Sequence, residues 1–325
     1  MRAVVGLQAQ DAGAASLGVR ARLAGSTAAA VDRARFDERS IARVWCMRGT
    51  LHLVAAEDVR WLVALLGPVG LKRNQRRIAE FGVDGEDALR AARDALAEHG
   101  PLTRHELAAE ARRRGVRLAD DLQAPVHLVA RAVMKGAACE AAPRAGEPAY
   151  ALVDDWLDRD DRAAEAFDRD ATLAELARRY VAAHPPAAPK DLAAWSGLGV
   201  RDARQAFAAI ERELEQVRVL DRDAWVPRAR KGSVPFLAAV RLLPAFDGFL
   251  LAHRDRALTV RPEHAREVLP GGGVLRPTLL VDGLVEGTWR LERGRPAVAP
   301  FAALPPAVAE AVDAEAADVV RHRAG

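Results

Sequence analysis

One pattern of secondary structure recurs three times along this 325-residue chain, and it limits the folds that the chain can adopt. Each copy consists of two helices joined by a short turn, followed by two strands that form a hairpin. In the clearest copy, Thr103 and Glu106 form a capping box at the start of a helix that Gly115 closes. A second helix follows, and then a hairpin around the turn at 143–148. This order predicts a winged helix, which is a helix-turn-helix module with a β-hairpin.

The second helix of this copy has an apolar face and a basic face. The predicted buried residues follow each other at spacings of four, three and four: Leu122, Val126, Val129 and Val133. The opposite face carries three candidates for contact with DNA: His127, Arg131 and Lys135. In a chain with several such modules, this face can equally pack on a neighbour or stay solvated. Both alternatives stay open.

The third copy is indicated by the same signals. Pro189 starts a helix, Gly197 and Gly199 form the turn, and residues 217–226 form a hairpin around Asp221. One face of its second helix is predicted to be buried: Ala203, Phe207, Ile210 and Leu214.

The first copy is less regular. Residues 40–45 are predicted to be helical, and residues 50–54 alternate as a strand. The segment after Ala55 leads into a helix with four residues predicted to face inward: Val59, Leu62, Val63 and Leu66.

The last part of the chain, from about Val234, is predicted to consist mainly of strands. Asp282 and Gly283 stand between two apolar runs, which is a strong hairpin signal, and a helix over residues 306–321 follows. We therefore predict an α+β fold, mainly α, with tandem winged-helix modules and a C-terminal β-rich portion. The expected units are residues 1–82, 83–160, 161–232 and 233–325.

Composition restricts the class of protein further. The net charge is +3 and the pI is about 9.2, and arginine supplies nearly all of the positive charge. Arginine clusters at 72–77 and 112–114 could meet phosphates, although a GC-rich coding sequence also enriches arginine. No apolar run approaches the roughly 18 residues that a membrane helix needs, and no signal peptide is visible, so we expect a cytoplasmic protein. Cys46 and Cys139 are expected to be packing residues, and no spacing indicates a metal or another cofactor.

Two amide side chains, Gln8 and Gln10, flank Ala9 directly after an apolar stretch. An amide can hold a water molecule and turn its carbonyl dipole toward a cation, but it does not take up a proton at neutral pH. A pair of amide side chains suits hydrolysis of an N-glycosidic bond whose base already carries a positive charge. Without context, however, a Gln-x-Gln pair is far more often part of a solvated loop or a helix start.

Five segments, taken together and in their order along the chain, carry a resemblance to a known family. They are residues 6–11, 44–54, 191–198, 243–247 and 283–289. The chain resembles the AlkZ/YcaQ-type winged-helix DNA glycosylases of bacteria over nearly its whole length. The resemblance implies that tandem winged helices form a concave basic surface for duplex DNA. It also implies that a Gln-aliphatic-Gln motif releases N7-alkylated purines, including those joined in interstrand crosslinks, and that Gln8 and Gln10 are the catalytic residues of this motif.

The resemblance also implies a helical segment ahead of the glutamine motif, whereas Met1 lies only seven residues before Gln8. We expect the start of the protein to lie upstream of Met1, because removal of a packed helix would expose apolar surface next to the site.

The expected activity is monofunctional excision of alkylated purines from double-stranded DNA, by a monomer associated with the nucleoid. Gln8 is expected to position the attacking water and to support positive charge on the sugar, while Gln10 orients Gln8 or the substrate. No lysine lies near the motif to form a Schiff base, so strand cleavage is not expected. The alternative function is a non-enzymatic winged-helix DNA-binding protein such as a transcription regulator, although no heptad run indicates a dimerisation helix.

Several further residues are candidates for contact with substrate or DNA, and each has a structural alternative. Asp11 could orient water or cap a helix, and Arg48 could contact a phosphate. His52 alternates with two leucines and is expected on the opposite strand face from the core, near the cleft, or as an ordinary hydrogen-bonded histidine. A polar cluster in the last unit could reach phosphate or brace that unit through an arginine–aspartate network: His253, Arg254, Asp255 and Arg256.

Overall fold

The computed structural model of the chain describes residues 1–157, 167–228 and 240–325. It combines many helices with small antiparallel sheets. The helices are α1 (Ala12–Arg20), α2 (Ala28–Phe36), α3 (Val59–Glu80), α4 (Glu86–His99), α5 (Arg104–Arg113), α6 (Ala124–Met134), α7 (Val153–Trp156), α8 (Arg169–Ala183), α9 (Pro189–Ser196), α10 (Val200–Ala209), α11 (Gly248–Leu251), α12 (Ala265–Val268) and α13 (Pro306–Ala324). In these described ranges, no helix combines the length and the apolar character needed to cross a membrane.

The strands form three small sheets and one hairpin. They are β1 (Gly6–Gln8), β2 (Ile41–Trp45), β3 (Leu51–Ala55), β4 (Leu102–Thr103), β5 (Ala138–Arg144), β6 (Glu147–Leu152), β7 (Leu214–Val219), β8 (Arg222–Pro227), β9 (Val240–Leu243), β10 (Thr278–Val281), β11 (Leu284–Glu292) and β12 (Arg295–Pro300). The orders are β1-β3-β2, β4-β6-β5, β12-β11-β10-β9 and β7-β8, and all pairings are antiparallel.

The first sheet corrects one prediction. Residues 41–45 form the strand β2, not a helix, and this strand pairs with β3 over its whole length. Its burial alternates along the strand, with Ala42 and Val44 buried. The β-branched and aromatic residues Ile41, Val44 and Trp45 favour this pleated conformation once a neighbouring strand is available. The predicted strand at 50–54 and the helix that begins at Val59 are confirmed.

The second unit has the predicted order of elements, from α5 through α6 to the β5–β6 hairpin, and the additional helix α4 precedes them. The capping box is confirmed, because the Glu106 N–H donates to Thr103 Oγ1 at 3.3 Å and the Thr103 N–H donates to Glu106 Oε2 at 2.8 Å. Leu122 was predicted to be buried, but it precedes α6 and is 82% exposed. The helix begins only at Ala124, and Val126 is half-buried, whereas Val129 and Val133 are buried as predicted.

The third unit follows its prediction closely. Gly197 has a left-handed backbone conformation, with φ of +89°, and ends α9. The four residues predicted to face inward from α10 and its flank are all buried. The strands β7 and β8 form the predicted hairpin, and its turn includes Asp221. The expected unit boundaries at 160/161 and 232/233, and the expected change to strands at Val234, lie outside the described residues.

A single apolar core runs through all three of these units, from Val5 to Leu214. Cys46 and Cys139 are free and lie in it, and burial raises the pKa of both thiols to about 12, so their prediction as packing residues is confirmed.

The last unit is a four-stranded sheet covered by α13, and it is joined to the beginning of the chain. The hairpin at Asp282 and Gly283 and the terminal helix are confirmed. Leu17 of α1 packs in the core of this unit. The buried Arg20 guanidinium donates to Glu315 and Asp318 of α13, each at 3.0 Å. The first helix of the chain therefore lies between the glutamine motif and the last unit.

Candidate active site

The glutamine motif lies at the end of β1. Gln8 is the last residue of that strand and stands opposite His52 of β3, so the two side chains are on the same face of the sheet. Ala9 is fully buried, and its N–H donates to the Leu51 carbonyl at 2.7 Å. Gln8 is half-buried and Gln10 is exposed. Both amides can therefore be reached by solvent, which a catalytic role requires.

The two amides are joined to each other and to an arginine. The Arg48 Nη2 group donates to Gln8 Oε1 at 2.5 Å, and Gln8 Nε2 donates to Gln10 Oε1 at 2.7 Å. A guanidinium has only donors, so Gln8 must turn its oxygen toward Arg48. Its NH2 group then faces Gln10, which must accept with its oxygen and turn its own NH2 group outward. We call Arg48, Gln8 and Gln10 the amide relay.

Arg48 is held firmly in this position. It lies in the 3₁₀ turn Met47–Gly49 between β2 and β3, with φ of +56° and ψ of 11°. Its Nη1 group donates to the carbonyl of Trp195 in α9. A Cβ on Gly197 would stand 3.1 Å from the Arg48 Cα, so only glycine permits this close approach. The Arg48 guanidinium is therefore engaged within the protein, whereas the sequence suggested a free phosphate contact.

A second arginine holds the backbone of the motif. Arg43 of β2 donates to the carbonyls of Ala9 at 2.7 Å and Gln10 at 3.3 Å, and also to Glu140 Oε1 at 2.8 Å. The other carboxylate oxygen of Glu140 accepts from Arg35 at 2.8 Å. Glu140 lies in β5 of the second unit and is buried. Sequence reasoning missed this network, and its only signal was an acidic residue in the otherwise apolar run 138–142, since a buried charge needs a partner.

His52 is buried beneath the motif, contrary to the expectation that it points toward the cleft. Both faces of this sheet are covered. Leu53 packs with residues of α1 and α2, while Val44 and Val54, on the side of His52, belong to the main core. His52 Nδ1 donates to the Thr50 carbonyl at 3.0 Å, so the alternative of a hydrogen-bonded histidine is confirmed. Burial, together with the positive charge of Arg48, lowers the pKa of His52 to about 3.

Asp11 caps a helix. Its Oδ1 accepts from the Ala14 N–H at 2.8 Å at the start of α1, which confirms the capping alternative.

Among the described residues, neither amide of the relay is hydrogen-bonded to a group that titrates near neutral pH. Burial, together with the positive charges of Arg73 and Arg256, lowers the pKa of Arg48 to about 10, so the guanidinium stays charged. His52 stays neutral because of its low pKa. Within the described residues, no carboxylate is hydrogen-bonded to either amide side chain. The described residues of this arrangement thus supply dipoles and hydrogen bonds but no general acid.

The predicted recognition face of α6 is largely engaged within the protein. Arg131 is only 4% exposed, and it donates to the carbonyls of Asp84 and Gly85 and to the Glu86 carboxylate. The Arg131 guanidinium therefore lies at the start of α4, where its charge is paired with Glu86 and its N–H groups bond to the backbone. His127 stacks on Phe81, with ring centroids 4.7 Å apart, and Lys135 lies 3.6 Å from Glu86. Of the two alternatives, packing on a neighbour is the one observed for Arg131.

In the polar cluster of the last unit, three side chains bond to backbone groups and the fourth is exposed. His253 donates to the Pro186 carbonyl at 3.0 Å, and Arg256 Nε donates to the Leu250 carbonyl at 3.0 Å. Asp255 accepts from the Ala257 N–H at 2.9 Å, so no arginine–aspartate hydrogen bond braces the unit at this residue. The Arg254 side chain is exposed and has no hydrogen-bond or ion-pair partner among the described residues.

The two arginine clusters found in the sequence differ in their surroundings. Arg113 and Arg114 form ion pairs with Glu110, and Arg112 donates to the Ala119 carbonyl. The other cluster lies on the last turns of α3 and is exposed, and in the described parts of the chain its side chains have no acidic partner. Its cations are Lys72, Arg73, Arg76 and Arg77, which we call the α3 basic surface. Arg73 reaches the neighbourhood of Arg48 and Gly197, so this surface adjoins the amide relay.

Among residues 1–157, 167–228 and 240–325, no group of three or more histidine, cysteine or acidic residues is arranged to hold a metal ion.

Three comparisons with known proteins each match AlkZ-type DNA glycosylases. The model of a family described as DNA glycosylase AlkZ-like matches residues 1–322. The interstrand DNA cross-link repair glycosylase of Streptomyces sahachiroi is 28% identical over 333 residues, covering 97% of this chain and 88% of that protein. The structure of the Streptomyces sahachiroi DNA glycosylase AlkZ superimposes with a TM-score of 0.81 at 24% identity, covering 98% of this chain and 89% of that chain. This structural likeness shows the common fold.

The fold and the site thus define an enzyme that cleaves N-glycosyl bonds in DNA. The chain belongs to the AlkZ-like DNA glycosylase family. The resemblance seen in the sequence is confirmed, and the protein is a hydrolase of DNA repair, not a non-enzymatic regulator.

Proposed function

We propose that this glycosylase releases N7-alkylated, cationic purines from double-stranded DNA by hydrolysis, and that its substrates include purines joined in interstrand crosslinks. The crosslink part of the proposal is supported by the relative in Streptomyces sahachiroi, whose name gives interstrand crosslink repair as its activity. Gln8 and Gln10 are the proposed catalytic residues.

One observation supports cationic purines as the substrate class. The amides of the relay are accompanied by a guanidinium that stays positive and a histidine that stays neutral, and neither can protonate a departing base near pH 7. A neutral purine leaves slowly without protonation. A purine alkylated at N7 already carries a positive charge and leaves as a neutral molecule, so it needs no general acid. The site therefore matches bases that damage has already charged.

The structure also refines the proposed roles of the two glutamines. Gln8 Oε1 faces the Arg48 cation, so this oxygen is poorly suited to support a second positive charge on the sugar. Gln10 is the exposed member of the pair. We assign the contact with the attacking water to Gln10, whose oxygen has a second lone pair, and we assign to Gln8 the task of holding Gln10. Water adds to the anomeric carbon, the base departs with the bonding electron pair, and the water's proton passes to solvent.

The α3 basic surface is the proposed contact with the DNA backbone. Its four cations lie at spacings of one and four on α3, which places them on one side of the helix. Positive side chains without acidic partners are free to neutralise phosphates and to release counterions. The exposed Arg254 is a further candidate for contact with phosphate.

The order of helices and hairpins in the first three units supports tandem winged helices at 1–82, 83–160 and 161–232, with residues 233–325 as a separate β-rich unit. In this proposal the protein acts as a monomer, because one chain supplies the whole surface, and its DNA substrate places it in the nucleoid.

The experiment compares base release from three duplexes, which carry N7-methylguanine, uracil or an N7–N7 interstrand crosslink. Heating in alkali converts each released base into a strand break. We expect release from the first and third duplexes and none from the second, because uracil is a neutral leaving group that needs acid assistance. Replacing Gln8 or Gln10 with alanine should lower the rate on N7-methylguanine by about 100-fold or more. Equal rates on uracil and N7-methylguanine would refute the charged-base proposal, and an intact crosslink would refute its crosslink part.

A further inference from the structure

The amide relay contains a residue that neither the sequence nor the family match assigns to the reaction. We propose that Arg48 is a positioning residue that fixes the direction of both catalytic amides. This inference rests on the proposed catalytic roles of Gln8 and Gln10.

The first step of the argument concerns the direction of an amide. The oxygen and nitrogen ends of a glutamine side chain have nearly the same shape, and its last torsion is broad and roughly two-fold, so either end can face a neighbour. A donor-only partner removes this freedom. If Gln8 turned its NH2 group toward Arg48, two donors would face each other and the 2.5 Å hydrogen bond would be lost.

The second step is that the orientation of the Gln8 amide sets the orientation of the Gln10 amide. Once the oxygen of Gln8 faces Arg48, its NH2 group faces Gln10, and the 2.7 Å hydrogen bond then requires the oxygen of Gln10. The NH2 group of Gln10 is left on the exposed side. The cleft therefore receives N–H donors in a fixed direction, and these suit an oxygen acceptor on the sugar–phosphate backbone next to the lesion.

The third step is that Arg48 itself cannot easily turn away. A charged donor makes a hydrogen bond about twice as strong as a neutral one, and this guanidinium makes two such bonds, to Gln8 and to the Trp195 carbonyl. The residue also holds a left-handed backbone conformation that non-glycine residues seldom adopt, and such conformations persist where the surroundings fix them. The turn at 47–49 and α9 of the third unit thus hold Arg48 together.

The test is single-turnover release of N7-methylguanine, with enzyme in saturating excess over a duplex that carries one lesion. Two substitutions form a matched pair. Arg48→Lys keeps a charged group that only donates, whereas Arg48→Gln introduces an amide that donates and accepts and so no longer selects a direction. We expect Arg48→Gln to lower the saturated rate about 100-fold, because misplacement of a catalytic group by about 1 Å has an effect of this size. Arg48→Lys should lose less rate than Arg48→Gln, because its ammonium still only donates, although it does not reproduce both hydrogen bonds of the guanidinium.

A mutant cycle separates positioning from a general structural effect. If Arg48 acts only through Gln8, Arg48→Gln should change the rate by less than about twofold in the Gln8→Ala background. Arg178→Met, which removes an exposed ion-paired arginine of α8, serves as the control and should keep the wild-type rate.

Three outcomes would overturn the inference. They are a wild-type saturated rate in Arg48→Gln with weaker DNA binding alone, an equal loss in the Gln8→Ala background, and a loss in Arg48→Lys as large as in Arg48→Gln. If Arg48→Gln does not fold, the same cycle is run with Arg48→Lys, and a loss of equal size in the wild-type and Gln8→Ala backgrounds would count against the proposal. A wild-type rate in Gln8→Ala would instead refute the proposed function of the motif.

Discussion

The arginines of this enzyme fall into two groups that look alike in sequence and differ in structure. Arg43, Arg48 and Arg131 are held within the protein by carbonyls, by carboxylates or by the amide of Gln8. The α3 basic surface has no such partners among the described residues and faces solvent. Clustering alone did not separate the groups, because the cluster at 112–114 is engaged within the protein, whereas the isolated Arg43 and Arg48 support the glutamine motif. The difference predicts that the first group controls stability and geometry and that the second controls DNA affinity.

The largest effect is expected from Glu140→Gln. Glu140 is buried between Arg35 and Arg43, so its neutralisation would leave Arg43 without a counter-charge and Arg35 with only the exposed Asp32 as its partner. We expect the free energy of unfolding to fall by about 3–5 kcal/mol, as for other broken buried ion pairs. Urea denaturation measures this change. Glu213→Gln is the matched control, because its pair with Arg178 is nearly half exposed, and it should change stability by less than about 1 kcal/mol. Similar losses in the two variants would contradict the distinction between the groups.

A smaller loss of stability is expected from Arg131→Met. This change removes a buried donor from the carbonyls of Asp84 and Gly85 and should cost about 2 kcal/mol of unfolding free energy. Because Arg131 does not face solvent, the salt dependence of DNA binding should stay as in the wild type. If the slope of log affinity against log salt became shallower, Arg131 would belong with the DNA-binding cations instead.

Arg76→Gln, on the α3 basic surface, is expected to change DNA binding and to leave stability nearly unchanged. The loss of one phosphate contact should weaken binding to undamaged duplex by about 1 kcal/mol at 0.1 M salt and reduce the salt slope by about 0.9. Its unfolding free energy should change by less than about 0.5 kcal/mol, since the side chain is exposed and unpaired. Fluorescence anisotropy at several salt concentrations measures the affinity. An unchanged slope would remove this residue from the DNA surface.

The smallest effect at neutral pH is expected from His184→Phe, which tests a buried group outside the site. His184 packs against Tyr180 and Trp195, its Nε2 has no hydrogen-bond partner in the described part of the chain, and burial lowers its pKa to about 3. In the unfolded chain its pKa is about 6.5. The unfolded chain therefore takes up a proton as the pH falls from about 6.5 to about 3, while the folded protein does not, and stability is lost over this range.

The phenylalanine variant keeps a ring of similar size and has no proton to bind. At pH 7.5 its unfolding free energy should differ from that of the wild type by less than about 1 kcal/mol. Between pH 6.5 and pH 4 it should lose less stability than the wild type, as followed by urea denaturation at each pH. Parallel pH profiles would show that His184 does not titrate in this way.

Local rules predicted much of the fold. The Thr103–Glu106 capping box, the turn at Asp282 and the inward face of α10 each depend on residues close together in sequence, and all are confirmed. The strand β2 was missed because its conformation depends on pairing with β3, whereas the short segment alone does not distinguish a strand from a helix.

The candidate site was only partly predictable for a similar reason. Gln8 and Gln10 stood out by residue type and by resemblance, but the groups that hold them come from distant parts of the chain. Arg48 lies 40 residues after Gln8 and contacts a carbonyl 147 residues further on. Such pairings follow from tertiary packing, which periodicity and propensity do not describe.

The unbroken apolar core from Val5 to Leu214 has a practical consequence for anyone who wishes to reduce this enzyme in size. A gene fragment that ends after the first unit would encode the glutamines but would leave their support, at Glu140 and Trp195, behind. The resulting peptide would expose apolar surface and would aggregate rather than excise a base. Miniaturisation must therefore proceed from the surface inward, by trimming loops, and not by cutting the polypeptide between its repeats.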